Sequence, residues 1–170
     1  MNPEINILNN TEIKKIFEKL NDNYGIELKS LPKNSKLIQR GKEKISIFTG
    51  EISDKDIQKL KQFASIELIG LYFAKIDLFD NNKKEDIRLN MEGTHIFKEN
   101  ITKNIINLSS ENLIEEWMMG REILIPQGKW ERGFVVIRNS ITGDFLGCGK
   151  ASAEKITNFI PKGRRLKERS

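Results

Sequence analysis

The sequence predicts an α+β protein, in which an N-terminal α/β part with an antiparallel sheet is followed by a small β barrel. In the first hundred residues, segments with helical spacing of apolar residues alternate with apolar runs of strand length. After that point, short strands separated by turn residues dominate, with one amphipathic helix among them. With 170 residues and 38% hydrophobic content, the chain can bury a core in one domain or two small ones. We place a boundary at residues 98–102, which predicts domains at 1–98 and 102–170.

The N-terminal elements begin with a helix over residues 11–24. Its apolar residues recur at helical spacing, Asn10 or Thr11 can cap its start, and Gly25 can end it. Two short strands are predicted at 36–40 and 44–48, on either side of a glycine.

A second helix starts at Ser53 and runs to about residue 63, with Ile57, Leu60 and Ala64 turned inward. The apolar stretch 65–79 then predicts either one long strand or two strands joined by a bend at Gly70.

The remaining N-terminal elements are short. Residues 80–86 form a polar cluster typical of a surface turn, residues 87–90 can return as an antiparallel strand, and residues 91–97 predict a short helix.

The C-terminal part opens with a short strand at 104–108. Ser109 or Ser110 then caps a helix that runs through Met118 and ends at Gly120. The further strands are predicted at residues 122–126, in a hairpin over 133–150, and at 156–160.

The hairpin carries two glycines, Gly147 and Gly149, whose spacing places both on the same strand face. A face without side chains allows close approach of another element or of a ligand, and packing is the commoner reason. Cys148 lies between them, so we expect a small buried apolar residue rather than a reactive thiol.

The net charge of +5 is concentrated in the last 21 residues, because residues 1–149 contain 22 basic and 22 acidic side chains. Charge clustered at one end favours a polyanionic partner, although a solvated, frayed terminus is the alternative. The basic residues of this end are Lys150, Lys155, Lys162, Arg164, Arg165, Lys167 and Arg169.

Several classes of function lack their usual residues. One histidine, His95, and one cysteine do not supply a metal site, so no metal and no cofactor are predicted. Residues 41–44 lack the first glycine of a phosphate-binding loop. No apolar run approaches the length of a membrane span and the start is not that of a secretory signal, so we expect a cytoplasmic protein without a membrane partner.

Two sets of motifs resemble known families. The helix ending at Gly120, the hairpin with Gly143-Asp-Phe-Leu-Gly-Cys-Gly-Lys-Ala151 and the closing Pro161-Lys-Gly-Arg-Arg-Leu166 resemble a PUA domain, an RNA-binding module. Residues 11–20, 69–76 and 88–97 are similar to the N-terminal domain of the nuclear-import-seven family of large-subunit ribosome biogenesis factors, whose members pair it with a C-terminal PUA domain.

The resemblance implies a non-enzymatic factor that binds pre-ribosomal RNA, with the N-terminal domain available to a protein partner. The strand 156–160 departs from the family because it has no basic residue, and the charge lies around it instead. Glu115 and Glu116 would repel phosphate, so we expect them on the side away from RNA. The predicted RNA contacts are Gly120, Gly147, Gly149, Lys150, Lys155, Lys162, Gly163, Arg164 and Arg165.

Two alternatives remain open from the sequence. One is an accessory subunit that presents RNA to a separate methyltransferase or pseudouridine synthase. The other is a small enzyme with an unrecognised site, which would require a deep pocket with converging polar groups in the N-terminal domain.

Overall fold

The protein is described here by a computed structural model, which covers residues 4–79, 84–125 and 131–167. These residues form two five-stranded sheets and four α-helices. The N-terminal elements are β1 (Ile5–Ile7), α1 (Asn10–Tyr24), β2 (Ser35–Arg40), β3 (Lys44–Thr49), α2 (Asp54–Phe63), β4 (Leu71–Phe79), β5 (Lys84–Leu89) and α3 (Met91–Ile96). The C-terminal elements are β6 (Ile105–Leu108), α4 (Glu111–Met118), β7 (Ile123–Leu124), β8 (Gly133–Asn139), β9 (Phe145–Ala151) and β10 (Lys155–Asn158).

The first sheet, sheet A, is an antiparallel meander in the order β1-β2-β3-β4-β5. Each strand pairs with the next in the chain, which is the arrangement that short connections favour. The pairing of β3 with β4 shifts register once, beside Ile45 and Ser46. Strand β1 lies at the edge and was not predicted from the sequence.

The second sheet, sheet B, has the order β6-β8-β9-β10-β7. Strands β6 and β8 run parallel and the other pairs run antiparallel. The predicted hairpin is confirmed as β8 and β9, and the sheet curls into a half-barrel. The predicted α+β class, with an antiparallel sheet followed by a small barrel-like sheet, is therefore confirmed.

Helix α1 begins one residue earlier than its predicted start. The side chain of Asn9 accepts hydrogen bonds from the backbone N–H groups of Thr11 and Glu12, and the Glu12 carboxylate accepts from the Asn9 N–H at 2.8 Å. This reciprocal capping box identifies Asn9 as the cap, rather than Asn10 or Thr11. Gly25 ends the helix with φ of 78°, as predicted.

Helix α2 is capped by Ser53 as predicted, but fewer of its apolar side chains are buried than the sequence predicts. Ile57 is buried, whereas Leu60 is 50% exposed and Ala64 is exposed. The expected inward position of Leu60 and Ala64 is wrong, because α2 contacts sheet A mainly near its outer strand β1.

The long apolar stretch yields a single strand that starts after Gly70. This glycine has φ of 80°, and a Cβ there would lie 2.4 Å from the carbonyl oxygen of Ile47. The residues before it are irregular, so of the two predicted arrangements neither the full-length strand nor the strand pair forms. The predicted turn at 80–86 falls partly outside the described residues, as does the end of the predicted strand 122–126.

The largest hydrophobic core lies between the two sheets. It combines α1 and sheet A residues such as Phe17 and Phe73 with Phe134, Phe145 and Cys148 of sheet B. Helix α3 packs against both β4 and β9. The C-terminal part thus shares a core with the N-terminal part, and the division at residues 98–102 stays a prediction.

A second core belongs to sheet B and centres on the fully buried Trp117 of α4. Its indole N–H donates to the carbonyl oxygen of Leu146 at 2.8 Å, which ties α4 to β9. Within residues 4–79, 84–125 and 131–167, no helix has both the length and the apolar character needed to cross a membrane.

Candidate nucleic-acid interface

The loop that follows α4 is held rigidly against sheet B. Gly120 has φ of 87°, and its N–H donates to the Trp117 carbonyl at 2.9 Å. The buried side chain of Asn158 donates to the carbonyl oxygens of Trp117 at 2.7 Å and Arg121 at 3.1 Å. Because Asn158 satisfies the end of the helix from within the sheet, the loop has a defined position at the surface.

The C-terminal segment returns to this loop. The Leu166 N–H donates to the Met118 carbonyl at 2.9 Å, and Arg165 Nε donates to the Ile160 carbonyl at 3.0 Å. A Cβ on Gly120 would lie only 2.3 Å from Arg165 Nε. Arg165 therefore lies across Gly120. We call Gly120, Arg121 and residues 162–165 the basic rim.

The middle of the basic rim is a short 3-10 turn, Lys162–Arg164. Lys162 and Gly163 are exposed, and a Cβ on Gly163 would meet no atom within 4 Å. Within the part of the chain that the structure describes, Lys162 makes no ion pair. Arg164 instead pairs with Glu92 of α3, and its Nη1 lies 3.7 Å from the sulfur of Met91. The rim therefore offers Lys162 to solvent and uses Arg164 to join the two parts of the protein.

Two other predicted basic contacts lie away from the turn. Lys155 Nζ pairs with Glu122 at 2.7 Å, between β10 and the start of β7. Lys150 Nζ lies 5.7 Å from the ring centre of Phe134, on the face of sheet B that carries Phe159. Contact of Lys150 or Lys155 with RNA stays a prediction.

The two hairpin glycines face protein atoms. A Cβ on Gly149 would lie 2.8 Å from Trp117 and 2.6 Å from Ile156. Gly147 has φ of 94°, next to the register shift between β8 and β9, and a Cβ there would be 3.7 Å from Ile160. Packing therefore leaves no room for a side chain at Gly149, whereas the left-handed backbone favours glycine at 147, and direct RNA contact by either stays a prediction.

Arg121 and Asn158 are part of the site although the sequence did not single them out. Arg121 follows the glycine that ends α4, and Asn158 interrupts the apolar run 156–160; these were the available signals. Arg121 Nη1 lies 3.3 Å from Glu116 Oε1. Glu116 therefore neighbours the basic rim, and its expected place on the side away from RNA stays a prediction.

Cys148 is the buried residue that the sequence predicts. Burial is the largest cause that raises the pKa of its thiol, to about 12, and its sulfur lies 3.8 Å from the hydroxyl of Tyr24. Burial likewise raises the pKa of Tyr24. A thiol that stays protonated is a poor nucleophile, so this buried pair is suited to packing rather than to chemistry.

The described residues that could serve in catalysis or metal binding do not lie together in one site. His95 Nε2 lies 3.0 Å from the Phe145 carbonyl oxygen, which occupies it in the contact between α3 and β9. Among the described residues, no group of three or more His, Cys, Asp or Glu side chains could hold a metal ion. A surface cavity of about 570 Å³ lies between the two parts and includes Lys19, Asp86, Asn104 and Arg132 in its mixed-charge wall.

Comparison with known proteins identifies the C-terminal fold. The family model described as the methyltransferase RsmF PUA domain matches residues 103–166. These residues are a PUA domain. A PUA domain crystal structure from Aeropyrum pernix K1, a tartrate complex, is similar over 94% of this chain and 86% of its own, with a TM-score of 0.53 and 12% identity. No curated protein matches the chain. The likeness to the A. pernix structure covers sheet A as well as the PUA domain, so both parts take part in the shared fold.

Proposed function

We propose that this protein is a non-enzymatic RNA-binding factor that acts in ribosome biogenesis and contacts pre-ribosomal RNA through its PUA domain. The observation that carries the proposal is the basic rim, which lies within the region matched by the PUA family model. The finer assignment to the nuclear-import-seven family is supported by the sequence resemblance over both parts of the chain. We further propose a cytoplasmic location and the domain division at 1–98 and 102–170.

The chemistry of the basic rim supports this proposal. Arg165 is held by a backbone carbonyl and Arg164 by an ion pair with Glu92, and a Cβ on Gly120 would meet the Arg165 side chain. Phosphate groups are recognised by positioned Lys and Arg side chains, which set affinity and orientation without strong sequence preference. Lys162 and Arg121 would supply such contacts, and Arg165 would add charge across the loop.

The test is RNA affinity measured at several salt concentrations. With about four phosphate contacts at roughly −0.7 each, the logarithm of affinity should fall with the logarithm of salt at a slope near −3. Lys162→Glu and Lys150→Glu should each weaken binding more than truncation after Leu166, since that truncation keeps the hydrogen bond between Leu166 and Met118.

The matched control is Lys55→Glu on α2, which makes the same charge change at an exposed position of the N-terminal part. Circular dichroism establishes that each variant is folded. A slope near zero would contradict the proposal, and so would neutral reversals combined with loss of binding on truncation.

A second candidate function is an accessory subunit that presents RNA to a separate modification enzyme. The observation that favours it is the match to a domain whose description names a methyltransferase. Stable co-purification of the protein with a methyltransferase or a pseudouridine synthase, retained after ribonuclease treatment, would favour this candidate over a role in ribosome assembly.

The N-terminal part is also proposed to contact a protein partner. Phe63 at the end of α2 is 87% exposed, and Leu60, Leu68 and Leu71 are about half exposed. Large exposed apolar side chains close together in sequence are typical of protein contact sites. Phe63→Ser should leave the fold and RNA affinity unchanged while weakening any such complex.

A further inference from the structure

Four basic residues form a continuous line across sheet A. In the pairing of adjacent strands, Arg40 lies opposite Lys44, and Lys44 opposite Lys75. Lys75 in turn lies opposite Arg88. The residues come from β2, β3, β4 and β5, and with strands about 4.8 Å apart the line spans about 14 Å. We call these four residues the cationic row.

The cationic row lies on the face of sheet A that is turned away from α1. Its chain neighbours Ile45, Ala74 and Ile87 are buried in the core that α1 covers, and successive strand residues point to opposite faces. All four basic residues are half-buried, so their long side chains lie along the sheet rather than extending freely into water.

Like charges directly opposite each other destabilise a sheet, so the row needs compensation. Lys75 Nζ lies 3.1 Å from Glu43 and 3.3 Å from Asp77, and Arg88 Nε lies 3.0 Å from Asp77. Arg40 and Lys44 make no ion pair within residues 4–79, 84–125 and 131–167. Glu43, Asp77 and Asp86, which lies opposite Asp77, supply three carboxylates beside the four cations, so the row keeps an excess of positive charge.

One atom of the row is also unsatisfied. Arg40 Nε is buried and has no hydrogen-bond partner in the described part of the chain. A buried donor without a partner is costly, and a charged donor costs more than a neutral one. An anionic acceptor at this end of the row would remove that cost.

Aromatic rings lie beside the cations. Lys44 Nζ is 5.7 Å from the ring centre of Tyr72, and Arg88 Cζ is 4.1 Å from the ring centre of Phe159. Phe159 in turn packs edge-on against Phe134 at 6.1 Å, beside Lys150. The row thus continues from sheet A onto the PUA domain.

We propose that the cationic row, together with Tyr72 and Phe159, is a second contact surface for single-stranded RNA. Cations would follow the phosphates while bases stack on the half-buried rings, which is how single strands are bound without sequence preference. An acidic protein segment would use the cations but not the rings, so RNA fits the combination better. The inference rests on the proposed RNA-binding function and extends its surface beyond the PUA domain.

The experiment compares two double variants of the full-length protein. Lys44→Gln with Lys75→Gln removes two charges from the row. Lys14→Gln with Lys15→Gln removes two exposed charges from α1, on the opposite side of sheet A. Affinity for a labelled single-stranded RNA of mixed sequence is measured across salt concentrations, with Lys162→Glu assayed in parallel.

The row variant should bind RNA about three- to tenfold more weakly than the α1 variant, with a salt slope shallower by about 1.4. Ultraviolet crosslinking of the unaltered protein to RNA should give modified peptides that contain Tyr72 or Phe159. This second measurement does not depend on any variant folding.

Three outcomes would overturn the inference. If the row and α1 variants bind RNA alike while Lys162→Glu weakens binding, the cationic row is not an RNA contact surface and the proposed PUA-domain function stands. If the unaltered protein does not bind RNA, both fail together. If an oligoglutamate peptide binds as tightly as RNA with the same dependence on the row, and no crosslink forms at either ring, the surface belongs to an acidic protein partner.

Discussion

The basic rim of the PUA domain and the cationic row of sheet A hold positive charge in different ways. In the rim, Arg165 is held by the Ile160 carbonyl and Arg164 by Glu92, while Lys162 is exposed to solvent. In the row, Lys75 and Arg88 share one carboxylate, Asp77. The two rim arginines therefore have separate partners, whereas two cations of the row depend on the same carboxylate.

The comparison shows that segment charge and surface charge are separate quantities. Residues 1–149 are neutral as a sum, yet strand pairing brings four of their cations into one line. The C-terminal segment carries the whole net charge, yet Lys155 and Arg164 are paired with acids outside it. A polyanion would therefore meet positioned charge on both surfaces.

The largest expected effect tests whether the two regions belong to one cooperative unit. Phe145 is 4% exposed and lies in the core shared by both sheets. Phe145→Ala should lower the free energy of unfolding by about 3–5 kcal/mol. Unfolding by urea should be followed by circular dichroism and by tryptophan fluorescence.

The control for Phe145 is Ile141→Ala, at a turn position that is 62% exposed, where the change should stay within about 0.5 kcal/mol. Two separate transitions in the unaltered protein, with only one moved by Phe145→Ala, would show that the two regions unfold independently.

Smaller losses of stability should distinguish the shared carboxylate of the cationic row from the single ion pair of the basic rim. Asp77 is the common partner of two row cations, so Asp77→Asn should lower the free energy of unfolding by about 1–3 kcal/mol. Glu92 pairs with Arg164, whose side chain is 52% exposed, so Glu92→Gln should cost only about 0.2–1 kcal/mol. Thermal unfolding at low and high salt measures both. Equal costs would contradict the difference drawn between rim and row.

A loss of stability of similar size is expected on substitution of Gly120 in the basic rim. Gly120→Ala forces a side chain into left-handed backbone, which costs about 1–2 kcal/mol, and its methyl group would displace Arg165. RNA affinity should fall together with stability. Gly163→Ala is the matched control, because a Cβ at this position would meet no other atom within 4 Å. This substitution should change the free energy of unfolding by no more than about 0.5 kcal/mol. A Gly120→Ala protein with unchanged stability and RNA affinity would refute the assigned role.

The last effect concerns the stability contribution of Cys148, which is seen only at alkaline pH. Its folded pKa of about 12 lies above the unfolded value of about 8.5, so the native state keeps its proton while the unfolded state loses it. The stabilising contribution is complete below about pH 8.5 and is lost as the pH rises toward the folded value. Urea unfolding across this range should show a steeper fall for the unaltered protein than for Cys148→Ala. Identical pH profiles would contradict the burial of the thiol.

Several elements could be predicted from sequence because their causes are local. The helix α1 ends at Gly25, and α4 is followed by Gly120, since a left-handed residue there favours glycine. The hairpin of β8 and β9 follows from two apolar runs around turn residues. The cap of α1 was misplaced by one residue because several neighbouring polar side chains can serve as caps.

The arrangement of the site depended on contacts that no local pattern contains. The parallel pairing of β6 with β8 and the line from Arg40 to Arg88 arise from register between strands far apart in the chain. The contact of Arg165 with Gly120 likewise joins residues that are 45 positions apart in the chain. The sequence determined which residues are basic and where helices and turns begin and end, because composition, capping and turn chemistry act over a few residues. Only the tertiary structure decided which cations are paired and which lie together, because strand register and core packing are set by the whole chain.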